Sequence, residues 1–192
     1  MWLAADSGMN HTEPTDRRLA LLCQRGDQKA FSELARRYQD RLYRFILRMV
    51  GSHDEALELA QDTFIKAWQA LPDWRPDAEF RTWLFRIGSN AAMDALRRRK
   101  VVEFVAMEDD YDAPGGSEDP EAQLQTKQRL RALEAALGRL PHDQREVVLL
   151  REIEDMSYSE IGAVLGINEG TVKSRLARAR EALLSYRKRT NA

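Results

Sequence analysis

The residues best suited to chemistry stand near the C-terminus, in Gly170-Thr171-Val172-Lys173-Ser174-Arg175-Leu176-Ala177-Arg178. Wound at about 3.6 residues per turn, Val172, Leu176, Ala179 and Leu183 form one narrow apolar stripe. Thr171, Ser174, Ala177 and Arg178 fall on the opposite face, with Lys173 and Arg175 on its flanks. Small and hydroxyl side chains let a helix approach a groove floor, and cations reach phosphates or the acceptor edge of guanine. Thr171, Lys173, Ser174, Arg175 and Arg178 are therefore candidate contacts to duplex DNA. A basic face on any surface helix would look similar, so the residues before it carry the argument. Ser157-Tyr158-Ser159-Glu160 is a capping-box pattern that starts a short helix reaching about Leu165. Gly166 suits a left-handed turn, and Asn168 suits the N-cap of a helix beginning around Gly170 or Thr171. Upstream, Pro141 fits the first turn of a helix whose buried side is Val147, Val148, Leu149, Leu150 and Ile153. This is the order of parts in a helix-turn-helix, whose second helix enters the major groove.

A second cluster lies in the first half. Trp74, Phe80 and Trp83 stand close together with Arg75 and Arg81 beside them, and Arg86, Asn90 and Arg97 recur on one polar helix face. Opening a duplex requires surfaces for unstacked bases and cations along the strand. Phe80 and Trp83 also have the spacing of core residues, and Arg97-Arg98-Arg99-Lys100 would favour a helix C-terminus without any DNA. No phosphate-binding loop, paired-histidine motif or glycine-flanked serine occurs, and His11, His53 and His142 are scattered. The expectation is a binding protein with no catalytic residues, metal or cofactor. Cys23, the single cysteine, lies beside Leu19 and Leu22 on an apolar stripe and reads as a buried thiol rather than a redox sensor.

Helical periodicity supplies the elements that position both clusters. Phe31, Leu34, Ala35, Tyr38, Leu42, Phe45 and Met49 predict a helix ending at Gly51. Ala56, Leu59, Ala60, Thr63 and Ala67 predict a second, after Asp54 and before Pro72. A loop over Pro72–Glu79 leads to a third, from about Phe80 to Arg99, with Leu84, Ile87, Gly88, Ala91 and Ala95 inward. Periodicity resumes at Leu124 and runs through Leu130, Leu133, Leu137 and Leu140, with no strand-like alternation anywhere.

The formal net charge is only −1 because opposite charges are segregated. Glu103, Glu108, Asp109, Asp110, Asp112, Glu118, Asp119 and Glu121 form an acidic stretch with no Lys or Arg, between two basic zones. With its Pro and Gly it reads as a self-repelling tether, on the order of 80 Å when extended. The predicted architecture is all-α. Its parts are a disordered lead-in over 1–15, helical domains over 16–100 and 125–190, and an acidic linker over 101–124. Met9 could serve as the start. No apolar run is long enough for a bilayer and no signal-peptide pattern opens the chain, so no membrane insertion and a cytoplasmic location are expected.

These residues also resemble a known family. Leu140-Pro141-His142-Asp143-Gln144-Arg145-Glu146-Val147, Met156-Ser157-Tyr158-Ser159-Glu160-Ile161 and Gly170–Leu176 resemble the fourth conserved region of sigma factors. Arg25-Gly26-Asp27-Gln28-Lys29-Ala30-Phe31, Ala60–Trp68 and Phe80–Ile87 resemble their second region. Order and spacing match the small extracytoplasmic-function (ECF) class and cover nearly all the chain beyond its first fifteen residues. The resemblance implies a transcription initiation factor that carries core RNA polymerase to promoters, without catalysis of its own. It implies that the helix from Asp54 to Leu71 docks on the β′ clamp helices, with Asp62, Ile65 and Gln69 as candidates, and that the β flap is a second contact. It assigns −10 reading and melting to Trp74, Arg75, Arg81, Arg86, Asn90 and Arg97, and −35 reading to Thr171, Lys173, Ser174, Arg175 and Arg178. An anti-sigma factor is the expected regulator. Two rival readings are a helix-turn-helix regulator that binds duplex unaided and an adaptor that binds protein alone. The aromatic loop with its Arg/Asn face disfavours the first, and the basic recognition helix disfavours the second.

Overall fold

The computed structural model describes residues 14–77, 79–99 and 132–190, the last four by backbone only. Most of the predicted lead-in, Met9 and the acidic linker lie outside these residues. All regular structure among the described residues is helical. The first half is built from α1 (Asp16–Cys23), α2 (Gln28–Val50), α3 (His53–Ala70), a 3-10 turn (Leu71–Asp73) and α4 (Phe80–Arg98). The second half has α5 (132–138), α6 (His142–Val148), a π turn (Leu149–Ile153), α7 (Tyr158–Leu165) and α8 (Glu169–Thr190).

Local chemistry sets the limits of α2. Asp27 Oδ1 accepts from the backbone N–H groups of Lys29 and Ala30 at 2.9 and 3.1 Å, satisfying donors that the first helical turn leaves open. At the other end Gly51 turns left-handed at φ 70° and its N–H bonds to the Leu47 carbonyl. Between them Ala30, Leu34, Tyr38, Leu42, Phe45 and Met49 are buried three or four residues apart. Onto this face pack Ala56, Leu59, Ala60, Thr63 and Ala67 of α3, and Phe80, Leu84, Phe85, Ala92, Ala95 and Leu96 of α4. Gly88 makes that approach possible, since a Cβ there would lie 2.7 Å from Leu42 Cδ1. Ile87, expected inward, is half-buried at the edge. Cys23 is buried, and burial, with the nearby Asp27 charge, pushes its thiol up to about 11.

The second half closes around Leu137, Leu140, Val147–Leu150, Met156, Ile161, Val164, Val172, Leu176 and Ala179. Arg145 organises it. Its guanidinium, 3% exposed, donates to the carbonyls of Leu137, Gly138 and Leu140 at 3.0, 2.6 and 3.2 Å. Pro141 stands immediately before α6 rather than inside its first turn. The backbone then widens into the π turn and passes Asp155 at φ 51°.

The two halves meet along a polar seam, which the reading of two separately placed readers on a tether did not anticipate. Arg145 also donates to the Met49 carbonyl at 2.7 Å, at the end of α2. Arg41 donates to the buried Glu154 carboxylate from Nε and Nη2, at 3.0 and 2.8 Å. The Ser89 hydroxyl donates to the Glu146 carboxylate, and Arg48 stands 3.8 Å from Glu134. Arg81 of α4 reaches both the Glu154 carbonyl, at 3.3 Å, and the Glu160 carboxylate, at 2.6 Å.

Candidate nucleic-acid and protein interfaces

The helix-turn-helix is fixed by its caps. Ser157 and Glu160 complete the reciprocal capping box of α7, the Ser157 hydroxyl accepting from the Glu160 N–H and the Glu160 carboxylate from the Ser157 N–H. Gly166 ends α7 at φ 66°, and Asn168 Oδ1 accepts from the Thr171 N–H at 2.8 Å to start α8. The helix begins at Glu169, one or two residues ahead of the predicted start. Val172, Leu176 and Ala179 are buried, so the opposite face is turned outward, with Lys173 and Arg178 exposed and Thr171 and Ser174 half-exposed.

Ring and ion contacts brace that face. Arg151 and Lys173 lie 5.4 and 5.7 Å from the centre of the Tyr158 ring, within cation–π range. Arg180 pairs with Glu152 at 2.8 Å, tying α8 to the π turn. Arg175 is half-buried with its Nε 3.3 Å from Asp143, so it faces α6 as well as solvent.

The first-half cluster divides. Arg75, Arg86, Asn90 and Arg97 are exposed, and Arg97 makes only an exposed pair with Asp94, at 3.2 Å. Arg81 is engaged by Glu160. Trp74 departs from the expectation of a base-stacking surface: it is 4% exposed and packs edge-on against Phe80, with ring centres 6.4 Å apart. The cause is Gln24, which caps the end of α1 and whose amide donates to the Trp74 carbonyl at 2.6 Å and the Leu71 carbonyl at 3.1 Å. That anchor draws the loop inward and makes the indole part of the core. Phe80 is buried too, and Trp83 is half-buried against it.

On α3, Asp62, Ile65 and Gln69 are exposed, Ile65 by 55%. Beside them runs a shallow apolar groove lined by Phe31, Phe64, Ile65 and Trp68, with Gln28, Ser32 and Gln69 at its edge. Phe31 packs on Trp68 with ring centres 4.9 Å apart. The sequence reading assigned Phe31 to the core stripe and did not recognise the groove. Its signal was the run Phe64-Ile65 followed by Trp68, apolar residues one helical turn apart and off the Ala56–Ala67 stripe. A clustered apolar surface of this kind is a candidate protein contact.

Comparison with known proteins agrees with both halves. Residues 34–101 match the family model for Sigma-70 region 2, and residues 130–183 match that for Sigma-70, region 4. The ECF RNA polymerase sigma factor SigE of Mycolicibacterium smegmatis is 42% identical over 166 residues, 84% of this chain and 64% of that protein. The RNA polymerase sigma-H factor of Pseudomonas aeruginosa is 37% identical over 90% of this chain and 93% of its own length. Among solved structures, CnrH in complex with the cytosolic domain of CnrY aligns with TM-score 0.67 and 34% identity over 88% of this chain and 95% of that one. The sigma factor RpoE of Bartonella quintana, in complex with the anti-sigma factor NepR, aligns with TM-score 0.69 and 29% identity over 83% and 98%. With both region models in order and relatives of this identity along most of its length, the chain belongs to the sigma-70 family, among the ECF sigma factors.

Proposed function

We propose that this chain binds core RNA polymerase, directs it to promoters by reading −35 and −10 elements, and helps open the DNA. The observation that carries this is the capped helix-turn-helix with its outward α8 face, joined in one chain to an exposed α3 surface beside an apolar groove. In this reading the unit over 16–100 docks on polymerase and opens DNA, 101–124 is the tether, and 125–190 reads the −35 element and contacts the β flap. Asp62, Ile65 and Gln69 meet the β′ clamp helices. Arg75, Arg86, Asn90 and Arg97 follow the −10 strand, and Arg81 joins them once released from Glu160. Thr171, Lys173, Ser174, Arg175 and Arg178 face the −35 major groove. Bond making belongs to the polymerase. The site of action is the cytoplasm, and no described helix is long and apolar enough to cross a membrane.

Control by an anti-sigma factor follows from the relatives, two of which were solved bound to such partners or to a cytosolic domain of another protein. The test is run-off transcription with purified core polymerase. Promoter-dependent product should require the added chain. A duplex shift by the chain alone, without any product, would instead favour a self-sufficient regulator.

A further inference from the structure

Two hydroxyls on the outward face of α8 already use their hydrogens within the protein. Asn168 Oδ1 accepts the Thr171 backbone N–H at 2.8 Å, which identifies that atom as the amide oxygen. The Thr171 hydroxyl lies 3.1 Å from the same oxygen. An amide oxygen has no hydrogen to give, so the hydroxyl is the donor. Ser174 Oγ lies 3.0 Å from the Thr171 backbone carbonyl and donates there for the same reason. A hydroxyl has one hydrogen and two lone pairs. What Thr171 and Ser174 offer outward is therefore lone pairs alone.

The major groove makes that distinction informative. Cytosine N4 and adenine N6 present amino donors there, whereas guanine N7 and O6 and thymine O4 present acceptors. A lone pair facing an amino group completes a hydrogen bond. Facing guanine or thymine acceptors it meets another lone pair, unless the hydroxyl first gives up its bond inside the protein. At Thr171 that means giving up the hydroxyl's own 3.1 Å bond to Asn168, the backbone cap at 2.8 Å remaining in place. The two residues are three positions apart, about 4.5 Å along the helix axis, close to the ~3.4 Å spacing of bases on a strand.

We propose that Thr171 and Ser174 read exocyclic amino groups, cytosine N4 or adenine N6, at adjacent positions of the −35 element, while Lys173 and Arg178 supply the donors that guanine or phosphate accepts. This rests on α8 being the −35 reader. Recognition by α8 is thus split by hydrogen-bond polarity: acceptors at 171 and 174, donors at 173 and 178.

The experiment uses full-length chain with core polymerase as holoenzyme, and promoters randomised across the −35 region. Wild-type selection should yield two neighbouring positions with a base-pair preference, and the adenine or cytosine of each pair is the base whose amino group is read. Thr171→Val, which keeps the backbone bond to Asn168, should erase one preference and Ser174→Ala the other. Independently of any variant, replacing the selected adenine with purine, or cytosine with 2-pyrimidinone, removes only the amino group. Wild-type holoenzyme should then lose about three- to tenfold in promoter binding, and the matching variant should lose nothing. Equal wild-type binding to the amino-less base overturns the proposal, as does a loss that the matching variant shares in full. Lys173→Ala and Arg178→Ala separate the two levels. If these also leave −35 preference untouched, α8 is not the reader and the wider assignment fails. If they change it while the hydroxyl positions stay silent, only the amino-group reading fails.

Discussion

Arg81 of α4 donates to the carboxylate of Glu160 at 2.6 Å, and the same carboxylate closes the capping box of α7. One acid thus serves both the local helix start and the seam between the halves. Burial pushes the Glu160 carboxyl up, but the bonds from Ser157 and Arg81 outweigh it, so its pKa lies below the ordinary value. While this pair is made, the Arg81 charge is balanced inside the protein.

Glu160→Gln should loosen the seam while keeping the capping oxygen. The pair is part-exposed, so the loss is about 1 kcal/mol or less. Fluorescence transfer between labels on Gln39→Cys and Glu181→Cys, both exposed positions, should report a longer mean distance than in the parent. Cys23, buried with its thiol raised to about 11, stays unlabelled at neutral pH. An unchanged distance would mean that Arg81 and Glu160 do not hold the halves together.

Glu146 gives the seam a pH dependence. Burial raises its carboxyl from 4.5 to about 7, against the pull of the Ser89 hydroxyl, Arg175 and Arg97, with Asp143 pushing it further up. A carboxyl raised by folding favours the folded state when protonated. Its contribution is full below 4.5 and is lost as pH rises through about 7. Glu146→Gln mimics the protonated form at every pH. The Tm difference between variant and parent should therefore grow in the variant's favour between about pH 5 and pH 8. A constant difference across that window would rule the mechanism out.

Arg145 offers the largest stability effect. Removing its guanidinium leaves buried carbonyls of Leu137, Gly138, Leu140 and Met49 without that donor. Arg145→Met should cost about 1–3 kcal/mol in denaturant unfolding, the cost of buried acceptors left unpaired. Arg145→Lys should recover little of this, since an ammonium cannot reproduce the fork geometry.

Ile65→Glu tests the α3 surface. Ile65 is 55% exposed, so the change should alter stability by roughly 0.5 kcal/mol or less. Co-migration with core polymerase should nevertheless be lost, whereas binding equal to the parent would remove α3 from the docking surface.

What the sequence revealed was mainly what is decided locally. Ser157 with Glu160, Gly166 and Asn168 act within one turn of their partners, so residue type and spacing suffice to read them. The same holds for Asp27, Gly51 and the buried stripe of α2. Trp74 was misread because its environment comes from Gln24, fifty positions earlier, and nothing near the indole announces that bond. The seam was invisible for the same reason. Arg41 and Glu154 are 113 positions apart, and Ser89 and Glu146 are 57 apart. Each looks like a polar residue of its own half until the halves are brought together.

The seam has a further consequence through its division of charge. Arg41, Arg48 and Arg81 come from the first half, and Glu154, Glu134 and Glu160 from the second. Salt then acts twice. It weakens the hold of DNA on the protein, and it also screens the part-exposed Arg81–Glu160 pair, which on the proposed role of Arg81 must part before that arginine meets a strand. The two responses oppose each other, so promoter affinity should fall with ionic strength less steeply than the number of phosphate contacts alone requires.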